Sequence, residues 1–117
     1  MVRVKVPSRR NKFNAVKTMY NGWKYDSKAE AAYAKQLDMD DSVAFWLRQA
    51  GVDLGQDTRY RADFLVIESS GKIYFVDVKG KETAAWKRTK KLWRKYGELP
   101  LHVVKKGNTV EIIEGIL

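Results

Sequence analysis

Three residues of this 117-residue chain are set up for chemistry: Asp63, Asp77 and Lys79. Asp63 stands in Tyr60-Arg-Ala-Asp63-Phe64-Leu-Val-Ile67, and Asp77 stands between Val76 and Val78, in runs whose β-branched and aromatic residues predict strands. An ionised carboxylate among such neighbours is costly unless it is paired, hydrogen-bonded or bound to a metal. Lys79 follows Asp77 by two residues, and side chains two apart on a strand leave from the same face. If the adjacent strand presents Asp63 to that space, two carboxylates meet an ammonium, the makings of a metal- and lysine-dependent hydrolytic site.

These residues need elements to hold them. Ser69-Ser70-Gly71 separates the two runs, so 60–80 is expected to be a β-hairpin. Upstream, Ser27 and Glu30 have the Ser-x-x-Glu spacing of a capping box, opening a helix with Ala29, Ala32, Tyr33 and Leu37 on its apolar face. Glu30 thus has two readings, a helix cap or a further site acid. Residues 43–54 fit a strand or a short helix, and the strand is favoured; Gly55-Gln-Asp-Thr58 then turns into the hairpin. Downstream, Thr83 caps a helix reaching about Tyr96, with Ala85, Thr89, Leu92, Trp93 and Tyr96 as its packing stripe. Its other side carries Lys87, Arg88, Lys90, Lys91, Arg94 and Lys95 with no acid between them, a density that favours phosphate contact. Pro100 precedes a short buried strand, Leu101 to Val104, and after a turn Thr109 to Ile113 closes the fold at an edge. His102, the one histidine, is assigned to the core, and Trp46 and Trp86 to either core or interface.

The bulk composition agrees with a single domain spanning 1–117. Hydrophobic residues make up 44%, enough for a packed core, and no cysteine is present for disulfides or thiolate metal sites. Lys and Arg outnumber Asp and Glu by 23 to 14, a formal charge of +9 that points to a polyanionic partner. Residues 1–19 form a basic arm, either a solvated tail or a grip on phosphates, in which Val2, Val4 and Val6 alternate before Pro7. The residues expected to touch a nucleic-acid backbone are Arg9, Arg10, Lys12, Lys28, Arg61, Lys81, Lys87, Lys90, Lys91 and Arg94. No run is apolar enough to span a membrane, so an intracellular, cytoplasmic protein is expected.

The order is helix with Glu30, strand, strand with Asp63, strand with Asp77-Val78-Lys79, basic helix, strand. In this the sequence resembles the PD-(D/E)xK, or restriction-endonuclease-like, nuclease superfamily, and within it the phage and archaeal Holliday junction resolvases. Ser27-Lys-Ala-Glu30, Tyr60-Arg-Ala-Asp63-Phe and Asp77-Val-Lys79-Gly80 with Thr83 carry the resemblance, over roughly 20–105, with 106–117 as a terminal turn and strand. It implies an α/β (α+β) fold with an α-β-β-β-α-β core and a mixed central sheet flanked by helices. By position, Asp63 matches the first core acid, Asp77 the second, Lys79 the lysine, and Glu30 the acid that many resolvases place on the first helix. Ala62 replaces the usual proline, and Asp77 stands where many resolvases have Glu. The resemblance implies Mg²⁺, with Mn²⁺ able to substitute, held by Asp63, Asp77, the Val78 carbonyl and Glu30, with Lys79 orienting the attacking water or steadying the phosphorane. It further implies a homodimer acting on four-way DNA junctions. The alternatives are flaps, nicked or duplex DNA, an RNA substrate, or a nucleic-acid-binding module without catalysis.

Overall fold

The computed structural model describes residues 17–55 and 57–117. Arg9, Arg10, Lys12 and the Val2–Val6 alternation lie outside the described residues. In chain order the elements are β1 (Thr18–Tyr20), β2 (Trp23–Tyr25), α1 (Lys28–Met39), β3 (Val43–Asp53), β4 (Arg59–Glu68), β5 (Ile73–Val78), α2 (Ala84–Tyr96), β6 (Leu101–Lys105) and β7 (Asn108–Ile113). The expected α-β-β-β-α-β order is present. The β1–β2 hairpin before it was not anticipated, although Asn21-Gly22, with φ of +49° and +83°, is the dipeptide that a tight hairpin turn favours.

Five strands form one mixed sheet in the order β3-β4-β5-β6-β7. Only β5 and β6 run parallel, joined through α2; the other neighbours are antiparallel. On β5, Tyr74 and Val76 join the core under α1 while Phe75 joins the core under α2, so the helices cover opposite faces. That two-sided burial explains the unbroken apolar reading of β5 and β6. The segment 43–54 is a strand, as favoured, and β7 is the edge expected from Thr109–Ile113.

Both helix starts are as the sequence predicts. Ser27 Oγ accepts from the Glu30 N–H at 3.1 Å, and Thr83 Oγ1 accepts from the Trp86 N–H at 3.1 Å. The buried faces match expectation in Tyr33, Leu37, Leu92 and Trp93 and differ at the alanines. On α1 the chain buries Ala31, Tyr33, Ala34 and Leu37, leaving Ala29 and Ala32 exposed. On α2 it buries Trp86 and Trp93, with Ala85 exposed. Four alanines crowd one and a half turns of α1, so hydrophobicity alone does not select the face, and the sheet decides. After α2, Gly97 lets the chain fold back across Trp93: a Cβ there would lie 2.6 Å from the indole Cδ1 and Nε1.

The sheet has one irregularity that matters. Trp46 on β3 and Phe64 and Val66 on β4 pack under α1, yet Ala50, Val52, Tyr60 and Ala62 pack under α2. All seven have even numbers, so a regular strand would keep each set on one face. The faces exchange at Gln49 and Asp63, the positions between the pairs Arg48–Phe64 and Ala50–Ala62, where Gln49 has φ +52°. His102 is buried, stacked on Tyr74 at 3.9 Å, consistent with its core assignment.

Candidate active site

The pairing between β4 and β5 runs from Ile67–Ile73 to Phe64–Val76 and stops. Beyond that point β4 stays with β3 as far as Arg59, and β5 stays with β6 through Val78–Val104. The two strands therefore part company, and two backbone N–H groups at the fork lose strand partners. Carboxylates replace them. The Asp63 N–H donates to Asp77 Oδ1 at 3.0 Å, and the Val78 N–H donates to Asp63 Oδ2 at 2.8 Å. Asp63 and Asp77 are thus brought together by the reciprocal capping of a split sheet.

Asp77 is 1% exposed, and its Oδ2 accepts from the Tyr60 hydroxyl. Lys79 Nζ lies 3.7 Å from that oxygen, donates to the Tyr60 hydroxyl at 3.2 Å, and sits 4.2 Å from the centre of the Trp86 ring. The same-face argument for Asp77 and Lys79 holds. Tyr60 and Trp86 are additions that sequence reasoning missed as site residues: Tyr60 reaches the site because the strand inverts between it and Asp63, and Trp86 because α2 starts against the fork. Burial pushes the Tyr60 hydroxyl well above its ordinary range, with Asp77 adding to it, so the phenol stays protonated and keeps donating.

Glu30 is half-buried beside this pair. Burial, then the charges of Asp26 and Asp77, raise its carboxyl to about 7. Asp63 is raised to about 8, by burial first and then by Asp77 and Glu30, against the opposing Val78 N–H and Lys79. Three acids face one ammonium, so Asp63 and Glu30 hold on to protons near neutral pH, and ionising all three leaves more negative charge than Lys79 offsets. Among the described residues no three of His, Cys, Asp or Glu form a ready ligand set, so the three expected acid ligands separate into the Asp63–Asp77 pair and a more remote Glu30. Mg²⁺ needs no more than that pair, since it keeps several waters and binds through one or two carboxylates plus substrate oxygens. The donor set of hard oxygens and the excess negative charge fit such an ion.

This electrostatic imbalance has a measurable sign. A carboxyl whose folded value lies above its unfolded value of about 4 binds more protons when folded, so stability falls as pH rises between the two. For Asp63 that window runs from about 4 to about 8. Asp40 and Glu82, both surface groups, are lowered and act below this window, while His102, lowered by burial, opposes the trend only below its ordinary value of 6.5. Melting curves in EDTA are expected to give a lower Tm at about pH 8.5 than at about pH 5.5, with Mg²⁺ restoring part of the loss at high pH and Asp63→Asn flattening the profile. A flat wild-type profile untouched by Mg²⁺ would contradict the charge excess.

The expected phosphate contacts divide in two. Lys28, Arg61, Lys81, Lys87 and Lys91 are exposed. Lys90, however, is 14% exposed and held by Glu82 at 2.9 Å and Glu111 at 3.3 Å, and Arg94 lies 3.8 Å from Glu111. The α2 side that looked uncompensated in sequence is partly neutralised by an acid from β7. Trp86, left open between core and interface, is core; Trp46 is half-buried and donates to Asp38 Oδ1 at 2.8 Å.

A family model described as protein of unknown function (DUF1064) matches residues 10–111. The chain belongs to this family. The match takes in α1, the fork and α2 together, so every element that positions the candidate site lies inside it. No curated protein and no solved structure matches the chain. Among the described residues no helix is long and apolar enough to cross a membrane.

Proposed function

We propose that this chain is a Mg²⁺-dependent endodeoxyribonuclease of the restriction-endonuclease-like type that cuts branched DNA, with four-way junctions as the first substrate to test. The observation that carries the reading is the fork, where Asp63 and Asp77 cap each other's strands, Lys79 meets them, and Glu30 adds charge from α1. Such a cluster suits hydrolysis of a phosphodiester, a reaction that needs an activated water and a counter-charge for the phosphorane. Asp63 and Asp77 would hold Mg²⁺, with the Val78 carbonyl beside them and Glu30 as an outer acid; Mn²⁺ has the same ligand preferences. When bound, the ion supplies Lewis acidity and a water of lowered pKa. Lys79, fixed by Asp77, Tyr60 and Trp86, places a cation where charge develops on the phosphate, at no cost of reorganisation. Lys28, Arg61, Lys81, Lys87 and Lys91 would meet the flanking backbone.

A four-way junction has two-fold symmetry and needs two cuts, while each chain has one site, so a homodimer follows from this reading. A second reading has its own support: both Asp77 oxygens are already engaged within the protein, which a non-catalytic binding module would share. The deciding assay offers a labelled four-way junction beside linear duplex, splayed-arm and single-stranded controls, with Mg²⁺ or with EDTA. Metal-dependent nicks at the branch point are expected, paired and symmetric in the four-way junction, with linear duplex left uncut. Cutting of several branched forms would widen the substrate class, and binding without metal-dependent cutting would leave only the binding module.

A further inference from the structure

A second concave feature lies on the α1 side of the sheet. The β1–β2 hairpin, the end of α1 and β3 enclose a cavity of about 520 Å³, within the range of small-ligand sites. Its walls are aromatic: Trp23, Tyr25, Phe45 and Trp46, with Trp23 58% and Phe45 53% exposed. Isolated exposed aromatics are ordinary on a surface, but two beside a cavity are a stacking platform.

The polar groups in this cleft select the ligand. Asp38 also lines it, but its Oδ1 accepts from Trp46 Nε1 and its Oδ2 from the Tyr20 hydroxyl at 2.6 Å, so its charge is already spent on the walls. The place a cationic ligand would take is filled, because the Arg48 guanidinium lies 5.0 Å from the Trp23 ring and 5.1 Å from the Tyr25 ring. What the cleft has to offer is donors. Arg48 Nε and the Tyr25 hydroxyl are buried without a hydrogen-bond partner among the described residues, and Tyr25 is 2% exposed. Buried polar groups are rarely left unpaired, and each such group costs stability until something pairs with it. The ligand that fits is planar, rich in π electrons and bears acceptors.

The cleft also adjoins the fork. Tyr25 stacks on Phe64 at 6.2 Å between centroids, and Phe64 is the residue after Asp63. We propose that this cleft receives one unpaired nucleobase of a DNA strand, stacked on Trp23 and bonded by Arg48 and Tyr25, so that the chain favours DNA with an unpaired or single-stranded branch. The inference rests on the nucleic-acid reading of the protein and narrows its substrate. It places the unpaired base on the α1 side while the scissile strand meets Asp63 and Asp77.

The test measures binding in EDTA, so that cleavage does not intervene, using three fluorescein-labelled probes: oligothymidylate, a fully paired duplex, and the same duplex with one extrahelical base. Trp23 is exposed, and its removal leaves both cores intact. Trp23→Ala is expected to weaken the first and third probes by roughly ten-fold, the order of one lost base–aromatic stack, and the paired duplex by less than about two-fold. Trp23→Phe, which keeps a ring, is expected to recover most of the loss. Equal weakening on all three probes, or none on any, overturns the proposal. The nuclease reading fails separately: this binding pattern with no Mg²⁺-dependent cutting would keep the cleft and remove the catalysis, whereas cutting with Trp23→Ala matching wild type on every probe would do the reverse.

Discussion

Asp77→Asn is expected to abolish metal-dependent cleavage while DNA binding stays near wild type. The substitution keeps the shape of the side chain. Its Oδ1 can still accept from the Asp63 N–H, and the Tyr60 hydroxyl, now facing an amide, can turn to accept instead of donate. The fork therefore stays capped. What disappears is the buried negative charge 3.7 Å from Lys79 and one of the two close carboxylates available to a divalent ion. Removing a preorganised charge at a reacting centre costs roughly 10²–10³-fold in rate, and loss of a metal ligand adds to that. A second readout checks that the change is local. Asp77 is the largest charge raising Asp63, so Asp77→Asn lowers the Asp63 carboxyl and makes the fall of Tm with pH shallower. Undiminished cleavage by this variant would mean that the carboxylates cap the sheet and do no chemistry.

Trp93→Ala is expected to cause the largest loss of stability from a single truncation. Trp93 is fully buried, meets Phe75 edge-on at 5.4 Å and Tyr60 edge-on at 6.3 Å, and donates from Nε1 to the Leu99 carbonyl at 2.9 Å. Truncating a buried Trp costs about 3–5 kcal/mol through lost transfer energy and the cavity left behind. The orphaned Leu99 carbonyl adds about 1 kcal/mol or more. For a domain of this size, at roughly 4–8 °C per kcal/mol, Tm should fall by at least about 12 °C in thermal denaturation followed by circular dichroism. Because Tyr60 rests on Trp93 and reaches Asp77, the variant should also lose activity below its new Tm. A drop of only a few degrees would mean that α2 is held by contacts other than this indole.

Both expectations depend on how α2 is seated, which no local stretch of the chain displays. The elements themselves are determined locally. Ser27 and Thr83 mark helix starts because a side-chain oxygen three residues ahead of an N–H is a local arrangement, complete within one turn. Ser69-Ser70-Gly71 and the apolar runs beside it determine the hairpin, and two-residue spacing alone places Asp77 and Lys79 on one side. Asn21-Gly22 is an equally local signal for β1–β2.

Tertiary structure decided everything that depends on two distant segments. The fork exists because β4 follows β3 while β5 follows β6, a competition between strand partners that no single run reveals. The exchange of faces at Gln49 and Asp63 breaks the period of two from which sequence reasoning places side chains, which is why Tyr60 emerges beside Asp77. Lys90 meets Glu111, twenty-one residues away, because β7 lies beside α2. The sequence by itself thus set which residues form helices and strands and which acids they carry, since those choices rest on neighbours a few positions apart. Which acids meet, and which basic side chains remain exposed, was decided by packing, since Coulomb and hydrogen-bond energies depend on separation in space and are indifferent to separation along the chain.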